Sequence, residues 1–196
     1  RPRRNRSIHP SGRRFFAEAE LPEEIQEVWW PRFERMASQF VKWERVREPS
    51  VAKSYAEIRA TRTAVGGTGV TLRGFADRID LKTDKLADII DYKTGSSPRK
   101  RDAHNLVAPQ LALEAALLKR GAFEPLGPRD ADDLLYVRLR ANGLVENESV
   151  LAHDKSEKTA ADMADEAWER LEQLLRHYAD PGTPYRSRVL PFRESD

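Results

Sequence analysis

The sequence predicts an α/β domain in which helices flank a mixed β-sheet. Segments with helical periodicity alternate with short runs of β periodicity, in the order helix, three strands, helix, hairpin and helix. The chain has 196 residues, of which 39% are hydrophobic, and this length is enough for one domain with a substantial core. In such domains, ligand-binding residues gather at the ends of strands and at the helix termini that face them.

The composition excludes several kinds of site. The chain has no cysteine, so this segment contains no disulfide, iron–sulfur cluster or Cys nucleophile, as a reducing cytoplasm would permit. It has no Walker loop for ATP. Because it also has no apolar run of about 20 residues and no signal-peptide core, we expect a cytoplasmic protein without membrane contact. The net charge of +2 makes local basic patches more important than the overall charge.

The first part of the domain is predicted to be a long amphipathic helix. We expect residues 1–20 to be a basic tail or a truncated helix, and residues 21–196 to form the domain. From Leu21, large apolar residues recur at spacings of three and four, which predicts a buried stripe of Trp29, Phe33, Met36, Phe40 and Trp43. Pro31 lies inside this pattern, so the helix is expected to begin or to kink there.

The middle of the chain predicts a β-meander, whose strands cover residues 52–64, 70–81 and 86–93. The remaining elements are a polar loop at 94–105, a helix at 107–120, a hairpin at 133–140 and 144–151, and a helix at 157–178.

Charged residues lie near the ends of two of these apolar strands. Asp91 and Lys93 are two residues apart, so they share one strand face. Asp77 lies near the end of the preceding antiparallel strand, and the short connection allows Asp77 and Asp91 to converge. Two adjacent carboxylates repel unless a cation neutralises them, and oxygen ligands favour Mg²⁺ or Mn²⁺. With a lysine beside it, such a cation could hydrolyse phosphodiesters.

Three motifs found together resemble those of the RecB-like PD-(D/E)xK nuclease family. They are GFADRID at residues 74–80, IIDYKTG at 89–95 and PQLAL at 109–113. Two further segments, VWWPRFER at 28–35 and PYRSR at 184–188, resemble the AddB-type nuclease domain of AddAB helicase–nucleases. The resemblance extends from about residue 24 to the C-terminal end and implies a restriction-endonuclease-like core.

The resemblance implies roles for individual residues. Asp77 and Asp91 would be the metal carboxylates, the backbone carbonyl of Tyr92 a further ligand, and Lys93 the catalytic lysine. Glu57 would match an acidic residue that many of these nucleases carry upstream, although it could equally be a surface ion-pair partner.

Other residues would support the site or contact DNA. Gln110 would match the glutamine of the family's Gln-x-x-x-Tyr motif, or it could be a polar residue on a helix face. The basic run of Arg99, Lys100 and Arg101 either contacts phosphate or belongs to a solvated loop. Asp80 lies on the opposite strand face from Asp77. It is expected to form a structural pair with Arg78 beneath the site, and the alternative is a catalytic role.

The sequence departs from the family at two points. Glu114 stands where the motif has tyrosine, and the family's upstream histidine has no convincing match, since His9 lies in a stretch rich in Pro and Arg. His104, His153 and His177 lack partner spacing and are expected at the surface.

As a function, the resemblance implies a Mg²⁺-dependent deoxyribonuclease of exonuclease type. It would act on one DNA strand, beside an AddA-like helicase–nuclease subunit, in the processing of double-strand breaks for homologous recombination. One alternative is a catalytically impaired nuclease-fold module that binds DNA or docks to a helicase. Another is a stand-alone RecB-like exonuclease.

Overall fold

A five-stranded mixed sheet forms the centre of the molecule. The computed structural model describes Gly12, Arg14, Phe15, Glu18, Ala19 and residues 22–140, 142–153 and 156–184, so His9, most of the expected basic tail and residues 185–188 of PYRSR lie outside it. The strands are β1 (Val51–Arg59), β2 (Thr63–Ala64), β3 (Thr71–Leu72), β4 (Phe75–Lys82), β5 (Ala87–Lys93), β6 (Ala131–Leu139) and β7 (Val145–Ser149).

The strand order of the main sheet is β1-β4-β5-β6-β7. The pairs β1–β4, β4–β5 and β6–β7 are antiparallel, whereas β5 and β6 are parallel. This topology confirms the predicted mixed sheet, meander and hairpin. The expected strands 52–64 and 70–81 are each interrupted, however, and β2 and β3 form a separate ribbon. After β1 the chain leaves the sheet, and the Thr61 N–H donates to the Ala122 carbonyl.

The helices of the described residues are α1 (Glu23–Arg47), α2 (Lys100–His104), α3 (Gln110–Lys119) and α4 (Ala160–Ala179); α1, α3 and α4 contact the sheet. Helix α1 continues through Pro31, so the expectation that the helix begins there is wrong. Helix α2 lies in the predicted polar loop, which is a second correction. The start of α4 has a capping box, in which Thr159 and Asp162 satisfy each other's backbone N–H groups. Across the part of the chain that the structure describes, no helix is both long and apolar enough to span a bilayer.

Each face of the sheet carries its own apolar core. Ile79 and Ile89 pack with α3 and α4 on one face, in a cluster that includes Leu117 and Met163. Ile90 and its neighbours on β6 pack against Trp43 of α1 on the other face. Ile89 and Ile90 belong to different clusters because successive strand residues point to opposite faces. The central strands β4, β5 and β6 are therefore covered on both sides, whereas the edge strand β1 is largely exposed.

The aromatic stripe of α1 differs from the buried stripe that the spacing predicts. Trp29 is 56% exposed, and Phe33, Met36, Phe40 and Trp43 are only half-buried. The C-terminal part of the stripe packs on the sheet, where the Phe40 ring lies 5.9 Å from that of Tyr92. The periodicity identified the helix correctly, but it could not show how far the helix extends along the sheet.

Charged side chains lie between α1 and the sheet. Arg78 donates to Asp80 at 2.6 and 2.8 Å, which confirms the expected pair. Asp80 is fully buried and also accepts from Arg47 at 3.1 Å. Glu44 of α1 binds the same guanidinium. Burial alone would lower the pKa of Arg78, but hydrogen bonds to Glu44 and Asp80 raise it above its usual range.

The histidines separate into two groups. The expectation that His104 lies at the surface is wrong, since it is 4% exposed and its Nδ1 lies 3.0 Å from the Val150 carbonyl oxygen. His153 is half-buried beside it, with ring centroids 5.1 Å apart. His177 is exposed, as expected.

Candidate active site

Strands β4 and β5 place two carboxylates at the same level of the sheet. The antiparallel ladder pairs Ile79 with Ile89 and Arg78 with Ile90, so the next position in this register is Asp77 opposite Asp91. Directly opposed residues of antiparallel strands point to the same face. The site thus arises from the meander that the sequence predicts.

The ladder between the two strands ends at this level. The N–H of Tyr92 donates to Oδ2 of Asp77 at 3.0 Å, so a side-chain carboxylate accepts the backbone hydrogen bond. This bond fixes Asp77 beside the backbone of the residue whose carbonyl is the expected third ligand. The Tyr92 ring points to the other face of the sheet, where its hydroxyl accepts from Arg78 Nη1 at 3.1 Å.

Asp91 is the centre of the cluster and is 3% exposed. Its Oδ1 accepts from Gln110 Nε2 at 2.8 Å. Its Oδ2 lies 2.7 Å from Lys93 Nζ, and this contact is an ion pair whose angles do not make a hydrogen bond. The Lys93 ammonium also lies 5.7 Å from the ring centroid of Tyr136 on β6. Asp91 therefore has one oxygen held by an amide and one facing the lysine.

Helix α3 contributes a second buried acid. Glu114 follows Gln110 by one helical turn, and its Oε1 accepts from Gln110 Nε2 at 3.1 Å. Burial raises the pKa of Glu114 to about 8, and the negative charges of Asp91 and Asp77 act in the same direction. The opposing effects of Gln110 and Lys93 are smaller than that of burial.

Tyr136 completes the wall of the site beside β5. It pairs with Asp91 across the parallel β5–β6 ladder and is 2% exposed. Burial, followed by the charges of Asp91 and Glu114, raises its pKa to about 12. The sequence reasoning assigned no role to Glu114 or Tyr136. The four-residue spacing from Gln110 could have indicated Glu114, whereas the position of Tyr136 depends on the crossover register, which no local pattern reveals.

Two sets of predicted residues lie outside this hydrogen-bonded cluster. Glu57 falls at the register position opposite Asp77 and has a left-handed φ of 51°. Glu57 is exposed, and its side chain makes no hydrogen bond or ion pair with the residues that the structure describes. Arg99, Lys100 and Arg101 are exposed around the start of α2, so their contact with phosphate stays a prediction.

The oxygen atoms of the cluster fit a hard divalent cation. Asp77, Asp91 and the Tyr92 carbonyl offer oxygen ligands without imidazole or thiolate, the set that Mg²⁺ and Mn²⁺ prefer. Oδ2 of Asp91 is buried and accepts no hydrogen bond from the described residues, although it faces the Lys93 ammonium at 2.7 Å, so a cation that bound this oxygen would lie beside the lysine. Within residues 22–140, 142–153 and 156–184, no three His, Cys, Asp or Glu side chains group as a complete metal site. The proposed set accordingly has two carboxylates and one backbone carbonyl.

The chain is similar to a known protein family and to proteins from Rickettsia. The family model described as "PD-(D/E)XK nuclease superfamily" matches residues 8–188. An "Uncharacterized protein" of Rickettsia bellii is 27% identical over 104 residues, which cover 53% of this chain and 12% of that protein. "Uncharacterized protein RC0550" of Rickettsia conorii is 25% identical over 145 residues, covering 71% of this chain and 17% of its own length. The chain thus matches less than a fifth of these relatives' length.

Among solved structures, the protein SSO0001 aligns with 86% of this chain and 68% of its own, with a TM-score of 0.36 and 14% sequence identity.

Proposed function

The chain belongs to the PD-(D/E)XK nuclease superfamily, and we propose that it hydrolyses phosphodiester bonds in DNA with the help of Mg²⁺ or Mn²⁺. The observation that carries this proposal is the cluster of Asp91 with Lys93 and Gln110, beside an Asp77 that is bonded to the backbone of Tyr92. Asp77, Asp91 and the Tyr92 carbonyl would hold the cation.

The residues of the site have separable tasks. The cation, when bound, supplies Lewis-acid stabilisation of the phosphate. Lys93 is held by Asp91 at 2.7 Å and remains partly exposed, so its ammonium can reach a phosphoryl oxygen or a water. A positive charge fixed before the reaction stabilises the negative charge that develops in the transition state. Gln110 keeps Asp91 in one orientation during this step.

We further propose that this nuclease is of the AddB type and acts as an exonuclease. It would degrade one DNA strand beside an AddA-like helicase–nuclease subunit during double-strand break repair. The resemblance of the segments around Trp29 and of PYRSR supports this proposal. The Rickettsia proteins contain the similar region as 12% to 17% of their length, which is compatible with a nuclease domain inside a larger polypeptide.

The test replaces Asp91 by Asn. The variant keeps the size of the side chain but loses its charge. We expect Mn²⁺-dependent cleavage of linear DNA to fall by about 100-fold or more, because loss of a residue that only orients a metal ligand already costs about 10- to 100-fold. Calorimetry should show weaker Mn²⁺ binding in the same variant. The matched control is Asp165→Asn, since Asp165 also lies 2.7 Å from a lysine, Lys119, but at the surface.

The control variant should cleave DNA as the wild type does. Cleavage retained by Asp91→Asn would remove this residue from the site and contradict the proposal. Cation-dependent cleavage by the wild type, measured in parallel, shows that the preparation is active.

A second candidate function is a catalytically impaired module that binds DNA or docks to a helicase. It is favoured by the position of Glu57, which is exposed and outside the hydrogen-bonded cluster, and by the glutamate at the position of the motif's tyrosine. Salt-sensitive DNA binding by the wild type without any cation-dependent product would support this candidate. Cation-dependent cleavage would eliminate it.

A further inference from the structure

Glu114 is a buried acid whose carboxyl group is only partly hydrogen-bonded. It is 5% exposed and its Oε2 has no hydrogen-bond partner in the described part of the chain. A buried carboxyl group without full hydrogen bonding costs free energy. Helix α3 is otherwise apolar around it, with Leu111, Ala115 and Leu118 all in the core. The acid therefore lowers stability, and its presence is explained more readily by the neighbouring site than by packing.

The amide of Gln110 connects Glu114 to Asp91. Its Nε2 donates to Asp91 Oδ1 at 2.8 Å and to Glu114 Oε1 at 3.1 Å. A primary amide nitrogen carries two hydrogens, so each carboxyl group accepts one of them. The acceptor at position 114 thereby keeps the nitrogen of the amide, rather than its oxygen, directed at Asp91. If the amide oxygen faced Asp91, two acceptors would oppose each other and the bond would not form.

The orientation of Asp91 follows from this bridge. With Oδ1 held by Gln110, Oδ2 is left facing Lys93 at 2.7 Å without a hydrogen bond. We propose that Glu114 is a positioning residue of the site: acting through Gln110, it holds the Asp91 carboxylate so that Oδ2 stays available to the divalent cation. This inference rests on the proposed nuclease function and extends it to a residue outside the set that would touch cation or substrate.

The groups that face Glu114 come from three other elements as well as its own helix: Gln110 from α3, Asp77 from β4, Asp91 and Lys93 from β5, and Tyr136 from β6. Asp77 and Asp91 can only accept hydrogen bonds when ionised, whereas Gln110, Lys93 and the Tyr136 hydroxyl can donate them. The Gln110 amide is the hydrogen-bond donor to Glu114 in the described structure, which is why the effect of Glu114 should pass through Gln110.

The test compares two substitutions of Glu114 by Mn²⁺ calorimetry and by DNA cleavage. Glu114→Ala removes the acceptor, so we expect Mn²⁺ affinity to fall about 10-fold, the lower range for a residue that orients a metal ligand. We also expect kcat to fall while KM for DNA is unchanged. Glu114→Gln keeps an oxygen at the same place and should remain within about 3-fold of the wild type at pH 7, since it preserves the bridge.

A matched control exists on α4, where Gln173 Nε2 donates to Glu169 Oε1 at the same 3.1 Å on an exposed helix face. Glu169→Ala should leave Mn²⁺ affinity and cleavage unchanged. If Glu114→Ala does not fold, Glu114→Met takes the place of Glu114→Ala in every comparison, since it removes the acceptor with little change in side-chain volume.

A double-mutant cycle then tests the route through Gln110. If Glu114 acts only through this amide, Gln110→Ala and the double variant Gln110→Ala/Glu114→Ala should bind Mn²⁺ equally, whereas independent effects would add. Wild-type affinity in Glu114→Ala, equal defects in Glu114→Ala and Glu114→Gln, or additivity in the cycle would each overturn the inference. If the wild type itself neither binds Mn²⁺ nor cleaves DNA, the proposed function falls and this inference falls with it.

Discussion

Asp91 and Asp88 lie three residues apart on β5, and their surroundings give them different tasks. Asp88 faces α1 and accepts from Arg47 at 2.8 Å, so a guanidinium neutralises it. It belongs to the layer of charged side chains between α1 and the sheet. Asp91 faces α3, where an amide occupies one oxygen and a lysine approaches the other. Each of the two carboxylates has one oxygen that accepts no hydrogen bond from the described residues, so they differ in their neighbours and not in hydrogen-bond satisfaction. Arg47 holds Asp88 against α1, whereas Asp91 lies beside Asp77 and Lys93 in the proposed cation site.

At the same scale, the pKa of Glu114 leads to a prediction about stability. Burial raises this pKa to about 8 in the folded protein, above the usual 4.3 or so of an unfolded glutamate. Between these values the folded state binds a proton that the unfolded state lacks. Stability is therefore full below the unfolded pKa and is lost as pH rises toward the folded pKa, by at most about 1.4 kcal/mol per pH unit.

Urea unfolding of the cation-free protein at several pH values between about 5 and 8 measures this slope, because this interval lies between the unfolded and folded pKa values of Glu114. In Glu114→Gln we expect the free energy of unfolding to fall less steeply as the pH rises. A smaller part of this fall should remain, because burial also raises the pKa of Asp88. An unchanged slope in Glu114→Gln would contradict the raised pKa.

Helix α1 acts on the site through the layer of charges that it covers. Arg78 is bonded to Asp80, to Glu44 of α1 and to the hydroxyl of Tyr92. Tyr92 in turn donates its N–H to Asp77. Helix α1 and the site therefore lie on opposite faces of the sheet. Tyr92 of β5 contacts both, through its hydroxyl on one face and its backbone N–H at the site. The layer supports the backbone of the residue whose carbonyl is the proposed ligand.

At this scale, we predict a large loss of stability for Arg78→Met. The substitution leaves Asp80, which is fully buried, with Arg47 as its remaining cationic partner, and breaking a buried ion pair from one side costs about 3–5 kcal/mol. Urea unfolding measures the difference. The control is Arg176→Met, whose exposed pair with Glu172 should contribute less than about 1 kcal/mol. Similar losses in the two variants would show that the layer contributes no more than a surface pair.

For the molecule as a whole, the placement of charge matters more than its total. The net charge is only +2, so DNA binding depends on where exposed basic residues lie. Arg99, Lys100 and Arg101 are exposed and follow β5, the strand that ends in Lys93. Phosphate contacts made there would hold DNA close to the proposed site.

We therefore predict that replacing these three residues by Gln weakens DNA binding and makes it less salt-dependent. The slope of log K against log salt should decrease by about one unit for each phosphate that the variant no longer binds. The control replaces Arg32, Lys42 and Arg45, which are exposed on α1, and changes the net charge equally. Fluorescence anisotropy with labelled DNA at several salt concentrations provides the slopes. Equal slopes in the two triple variants would show that the run after β5 makes no specific phosphate contact.

Local patterns predicted those parts of the fold and site that depend on neighbours in the chain. The period of two places Asp91 and Lys93 on one face, and the short β4–β5 connection makes Asp77 their cross-strand neighbour, so this part of the site follows from the sequence. The pairing of Asp80 with Arg78 follows for the same reason. Elements with a clear period, such as α4 and the hairpin β6–β7, were also predicted within a few residues.

The sequence by itself determined which elements form, which residues share a face and, through the motifs, which family the chain resembles. Only the tertiary structure decided that Gln110 reaches Asp91, that Tyr136 lies beside it across the parallel crossover, and that Glu114 is buried among these groups. It also decided that Trp29 stays exposed. The physical reason is that periodicity sets the direction of a side chain within its own element, whereas its partner and its burial depend on packing between elements distant in the chain.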